Sequence, residues 1–310
     1  MDQPSKIDLI EYEEQPENRK VGFWSTVLSL VRSHTGMSCL ALPFGFMTCG
    51  YKLALVALSA NTATVYFVTM LLVHTSKLRA PSQYRAHTLP DLARQCYGVK
   101  GYTLVASLCI MSECVKIGAF VFFFAASLQS AILPQNSTDE RLLLILAVVT
   151  VVPTWIFQAK NVTTAQWHRV QIACMALSLT GIVVYALGQL TEFRVARFYN
   201  VAQLTRFPLF YGISCGAFEG TEQALEIYYS MKQRNRDFQI ALGLALMILM
   251  SAYQMLGVVV YLSFAQFTQP LLLANLPDFG SMQWWTRSLF FVGSAINCSL
   301  KFARVQTFFT

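Results

Sequence analysis

Apolar residues gather in eight runs, near 24–49, 51–75, 102–133, 142–158, 170–190, 208–229, 239–262 and 284–303, separated by short polar stretches. Runs of about 20 residues match the length a helix needs to cross a hydrocarbon core about 30 Å thick. The pattern predicts eight membrane-spanning helices, with a tight turn at Gly50-Tyr51-Lys52 between the crowded first two. Two runs are interrupted. In the first, Arg32-Ser33-His34-Thr35-Gly36-Met37-Ser38 separates two aliphatic halves before Pro43. In the sixth, Tyr211-Gly212-Ile213-Ser214-Cys215-Gly216-Ala217-Phe218-Glu219-Gly220 brings three glycines, a serine and an acid to mid-run. Backbone opened at membrane depth must line protein or a watered cavity, because its freed N–H and C=O groups cannot face lipid. The five-run offset points the two interrupted helices in opposite directions through the bilayer, the arrangement of inverted-repeat transporters. The alternative is that the small residues only let helices pack closely.

Composition agrees with a membrane chain. Of 310 residues 55% are hydrophobic and 13% charged, and the mean hydropathy is +0.47; a soluble chain of this length carries far more charge. Residues 1–20 hold six acidic side chains, including Asp8, Glu13 and Glu17, without an apolar core or a small-residue cleavage pattern, so they read as a solvated cytoplasmic tail and not a signal peptide. The remainder, 21–310, reads as one transmembrane domain. The net charge of +7 is read as loop orientation and not as a nucleic-acid surface. With the amino terminus inside, fifteen basic residues fall on inner segments and six on outer ones, which sets the amino terminus in the cytoplasm. Asn136-Ser137-Thr138 is a glycosylation sequon in a loop this topology puts outside; Asn161-Val162-Thr163 falls inside and is expected to stay unmodified. The eight cysteines show neither a disulfide framework nor metal-ligand spacing.

Ionisable groups in the runs are functional candidates, since each is costly at bilayer depth unless paired or hydrated. His34 is the natural proton carrier, its ordinary pKa lying near 6.5, or else a neutral ring bonded to a freed carbonyl of the break. Glu219 sits at the second break, where a cation would be drawn. Glu113 and Lys116, three apart, read as an intrahelical pair. Glu222 and Glu226 continue from Glu219 as an acidic stripe, read as a solvated helix end or a proton path. The four histidines, His34, His74, His87 and His168, are scattered singly, so the catalytic clusters of a membrane enzyme are missing and a non-enzyme is expected.

The stretch from Arg32 to Pro43, followed by Phe44 and Gly50, resembles the Gly-x-Gly-x-Leu-x-Leu-Pro opening of the amino acid/auxin permease family. Ala217-Phe218-Glu219-Gly220, Leu225 and Met231-Lys232 resemble its proton-coupled amino acid transporter branch, as do Tyr261-Leu262-Ser263-Phe264 and Asn275-Leu276-Pro277. The resemblance runs from about residue 20 to the end and implies an all-α polytopic membrane protein with a leucine-transporter-like inverted-repeat fold, truncated to about eight transmembrane helices, the second repeat incomplete. It implies secondary active transport of a small amino acid with no cofactor, driven by a proton or sodium gradient, in the plasma membrane or a lysosomal or vacuolar membrane. Carried over, the substrate-binding residues are Thr35, Gly36, Met37 and Ser38 with Ser214, Cys215, Gly216, Ala217 and Phe218. Helix ends bared there suit a zwitterion, N–H donors and positive dipole ends meeting its carboxylate and carbonyls its ammonium group. The chain departs from the family pattern at Ser38, which stands where the second glycine is expected, at His34 for an asparagine, at Glu226 for a proline and at Tyr228 for an acid. Around Ser29 it lacks the branch's histidine. These departures leave a second reading, a transport-deficient amino acid sensor or regulatory membrane protein of the same fold.

Overall fold

Helices form where the apolar runs are uninterrupted and stop where glycine, serine and histidine cluster. A computed structural model describes residues 21–79, 88–132, 164–192, 202–231, 236–276, 285–290, 292–294 and 296. Its main helices are α1 (Phe23–Ser33), α2 (Leu42–Cys49), α3 (Tyr51–Arg79), α4 (Leu89–Ile132), α5 (Thr164–Glu192), α6 (Phe207–Ala217), α7 (Ala224–Ser230) and α8 (Arg236–Phe264). No strand occurs among the described residues. Among the described residues four helical stretches, Tyr51–Leu78, Leu89–Ala119, Val170–Leu190 and Arg236–Phe267, are long and apolar enough to cross a membrane. The tail 1–20, the run 142–158 and both sequons, at Asn136 and Asn161, lie outside the described residues.

The first run divides into α1 and α2 and the sixth into α6 and α7, each pair joined by unwound backbone and a short 3₁₀ turn, Met37–Ala41 and Thr221–Gln223. Pro43 and Pro208 stand in the first turns of α2 and α6, where no intrahelical N–H is lost. The expected turn at Gly50 separates α2 from α3.

α8 packs against α1, α2, α3 and α5. Its buried face recurs every three or four residues, at Ala241, Leu242, Ala245, Leu249, Tyr253 and Leu256. Gly257 lets α8 close on α2, since a Cβ there would lie 2.5 Å from Phe46 Cε2. Side-chain hydrogen bonds cross between helices: Asn61 Nδ2 of α3 donates to Ser214 Oγ of α6 (2.9 Å), Gln254 Nε2 of α8 to Ser59 Oγ of α3 (2.9 Å), and Ser263 Oγ of α8 to the Ala186 carbonyl of α5 (2.6 Å). Such bonds average about 0.6 kcal/mol each in membrane proteins. Close packing of the buried Leu30, Leu42, Phe46, Phe210 and Leu225 therefore carries most of the cohesion.

α4 is bent. Gly98, at φ 70 and ψ −159, lies in a region open essentially to glycine, so residues 89–97 fold away from the long remainder. This stretch lies between the second and third apolar runs, and a helical turn forms because Thr88 and Asp91 build a capping box. Thr88 N and Oγ1 donate to Asp91 Oδ2 (3.2 and 2.6 Å), and Asp91 N donates to Thr88 Oγ1 (3.3 Å).

Candidate functional site

The two interruptions meet. Gly36 N donates to the Ala217 carbonyl at 2.9 Å, and Thr35 and Phe218 form an antiparallel bridge. Glycine is required for this approach, because a Cβ on Gly36 would collide with the Gly216 carbonyl and come within 2.8 Å of Glu219 Cγ. A Cβ on Gly216 would lie 2.5 Å from Ser38 Oγ. Gly220, left-handed at φ 94, turns the chain where a side chain would strike the Ser33 carbonyl.

Contacts between the two broken segments continue on both sides of the breaks, antiparallel at Thr35–Phe218 and parallel at Val21–Met231. Beyond α2 and α6, Gln203 N donates to the Cys49 carbonyl at 2.6 Å; between them Phe46 and Phe210 meet edge to face with centroids 5.8 Å apart. At the other end Val21 N donates to the Ser230 carbonyl at 2.9 Å, so α1 lies along α7 as α2 lies along α6. The carboxyl ends of α1 and α6 thus converge on the breaks, bringing bared carbonyls and N–H groups together.

Tyr253 of α8 caps the junction. Its Oη donates to the Ala217 carbonyl at 3.0 Å, the same oxygen that accepts from Gly36, and its ring stands 5.3 Å from that of Phe218. His34 is buried, with Nδ1 3.0 Å from the Leu30 carbonyl and 3.1 Å from Ser33 Oγ. The carbonyl can only accept, so Nδ1 carries the hydrogen. Nε2 is buried with no hydrogen-bond partner among the described residues.

Beside the second break Lys116 Nζ stands 3.0 Å from Glu113 Oε1 and 2.6 Å from Glu222 Oε1, joining α4 to the turn that starts α7. The pair borders a cavity of about 510 Å³ whose walls include Val68, Leu71, Thr75 and Leu92. The bend at Gly98 creates it: in a straight helix Leu92 and Lys116 would lie about 36 Å apart, yet both line this space.

A profile of the family described as Transmembrane amino acid transporter protein matches residues 19–303. The chain belongs to that family. Among curated relatives, Amino acid transporter ANT1 of Arabidopsis thaliana is 22% identical over 258 residues, covering 82% of this chain and 59% of its own length. Amino acid transporter AVT3A of the same plant is 26% identical over 255 residues, with 78% of this chain and 57% of its own length covered. AVT3B is 24% identical over 251 residues, covering 78% of this chain and 60% of its own length. The chain therefore spans less than two thirds of the curated relatives it matches. Family membership together with the apolar helices makes it an integral membrane protein and not an enzyme.

In this amino acid transporter family member, Thr35, Gly36, Ser38, Gly216, Ala217 and Phe218 come together at the break, with Met37 contributing backbone to the 3₁₀ turn. Ser214 is turned instead to Asn61, and Cys215 is exposed with its Sγ 3.9 Å from Asn61 Oδ1. Glu219 adjoins Gly36. Gly220 sets Glu219 apart from Glu222 and Glu226, which follow it on the 3₁₀ turn and α7. Glu222 is drawn to Lys116 and Glu226 is exposed. Sequence reasoning missed Tyr253 and the reach of Lys116 to Glu222; a tyrosine in the seventh run was a visible signal for the first, whereas nothing local pointed to the second.

Proposed function

We propose that this chain carries the core of a secondary active amino acid transporter, with leucine-transporter-like inverted repeats and substrate held between the broken helices. The observation that carries this reading is the meeting of the two breaks, with Thr35 bridged to Phe218 and Gly36 N bonded to the Ala217 carbonyl. Glycines at the contact leave backbone N–H and C=O groups as the recognition elements, the groups a zwitterion needs. In this arrangement Gly36 N and the Ala217 carbonyl satisfy each other, so a substrate enters as they separate. Thr35 to Ser38 and Ser214 to Phe218 are the proposed substrate contacts, and His34 with Glu219 the proposed route of a coupling proton, which we favour over sodium. The amino terminus is cytoplasmic in this proposal, and the membrane is the plasma membrane or a lysosomal or vacuolar one.

Uptake of radiolabelled amino acids into proteoliposomes tests it. Saturable uptake that rises under an inwardly directed proton gradient, collapses with a protonophore and loses its pH response in His34→Gln is expected. Equal, non-saturable signal for every amino acid would refute it. One observation favours a second reading, an amino acid sensor: the Ser38 side chain fills the space against Gly216. Substrate-dependent thermal stabilisation without flux would select the sensor.

A further inference from the structure

We propose that the cavity beside Lys116 and Glu222 is a second amino acid site, separate from the helix breaks and selective for substrates with bulky apolar side chains. This rests on the amino acid reading above but on different residues. At about 510 Å³ the space is of the size that holds small organic ligands. Its lining is mixed: Val68, Leu71 and Leu92 are apolar, while Lys116 and Glu222 form a charged pole.

That pole has the pattern of a zwitterion binder. An ammonium group has three donors, and Glu113 and Glu222 occupy two of those on Lys116. A ligand carboxylate takes the third, and Lys116 stays neutralised by Glu113 if the ligand draws Glu222 away. Glu222 then accepts from the ligand ammonium group. A free anion would meet Glu113 and Glu222 as well as Lys116, whereas a ligand bringing its own cation gives Glu222 a partner. The side chain of that ligand lies along Val68, Leu71 and Leu92, which glycine would leave uncovered. The exchange of Lys116 between Glu222 and the ligand also loosens the tie between α4 and the turn before α7, linking occupancy to the broken sixth helix.

The test is photolabelling of the full chain in lipid nanodiscs with a diazirine analogue of leucine, with labelled peptides mapped by mass spectrometry. Label is expected on α3 around Val68–Thr75 and on α4 around Leu89–Leu92, competed by leucine and not by glycine. Val68→Trp, at a position 45% exposed and so tolerant of a larger side chain, removes the label by filling the cavity. Glu222→Gln keeps shape but loses a charged hydrogen bond, and lowers labelling roughly tenfold. Label confined to the break segments, no label, or label indifferent to both substitutions overturns the proposal. Uptake in the same preparation separates the two readings. Transport with no cavity label leaves the transporter reading standing and sinks the second site; cavity label without flux does the reverse.

Discussion

At the scale of single residues, glycine does two different jobs in this chain, and the structure says which. Gly36 and Gly216 are places where another backbone or side chain already occupies the volume a Cβ would take. Gly212, one turn earlier in α6, has nothing within 4 Å of that volume. Gly36→Ala is therefore expected to destabilise by about 1–3 kcal/mol, the range of overpacked contacts, and to abolish uptake. Gly212→Ala is expected to be neutral or to stabilise by about 0.5–1 kcal/mol through helix propensity. Thermal unfolding of the detergent-solubilised variants checks both, and equal effects would refute the assignment. The sequence announces that the backbone opens here, since His34, Thr35 and Gly36 interrupt aliphatic residues. It does not announce that Ala217 supplies the carbonyl for Gly36 or that Tyr253 shares it, because partners 181 and 36 residues away leave no local trace.

At the scale of elements, α4 is held to the second broken helix by a charge and not by close packing. The side chain of Lys116 is 17% exposed and that of Glu113 only 3%, so water screens the three-group cluster far less than it would a surface pair. A double-mutant cycle of Lys116→Gln and Glu222→Gln is expected to give a coupling energy above about 1 kcal/mol, the upper end for exposed pairs. Thermal unfolding reads it, and additivity of the two substitutions would show that the contact contributes nothing. The Glu113–Lys116 half of the cluster was legible from three-residue spacing on a helix. The Glu222 half was not, because Glu219 and Glu222 read as neighbours on one helix until the positive φ at Gly220 sets them apart. Gly98 hid its effect in the same way, in the polar stretch between two apolar runs.

At the scale of the molecule, the two interruptions in the hydropathy pattern foretold two broken helices, whereas the bend that shapes the cavity hangs on the backbone of Gly98. Orientation in the bilayer follows from charge in the proposed topology and has its own test. The chain expressed in glycosylating cells is expected to carry a glycosidase-sensitive mass that disappears in Asn136→Gln and persists in Asn161→Gln; the reverse pattern would invert the topology. The tie from Val21 to Ser230 has a mechanical corollary. With α1 joined at that tie to the stretch carrying α7, and again close to it where Ser33 meets Gly220, an outward swing of either one alone costs both contacts.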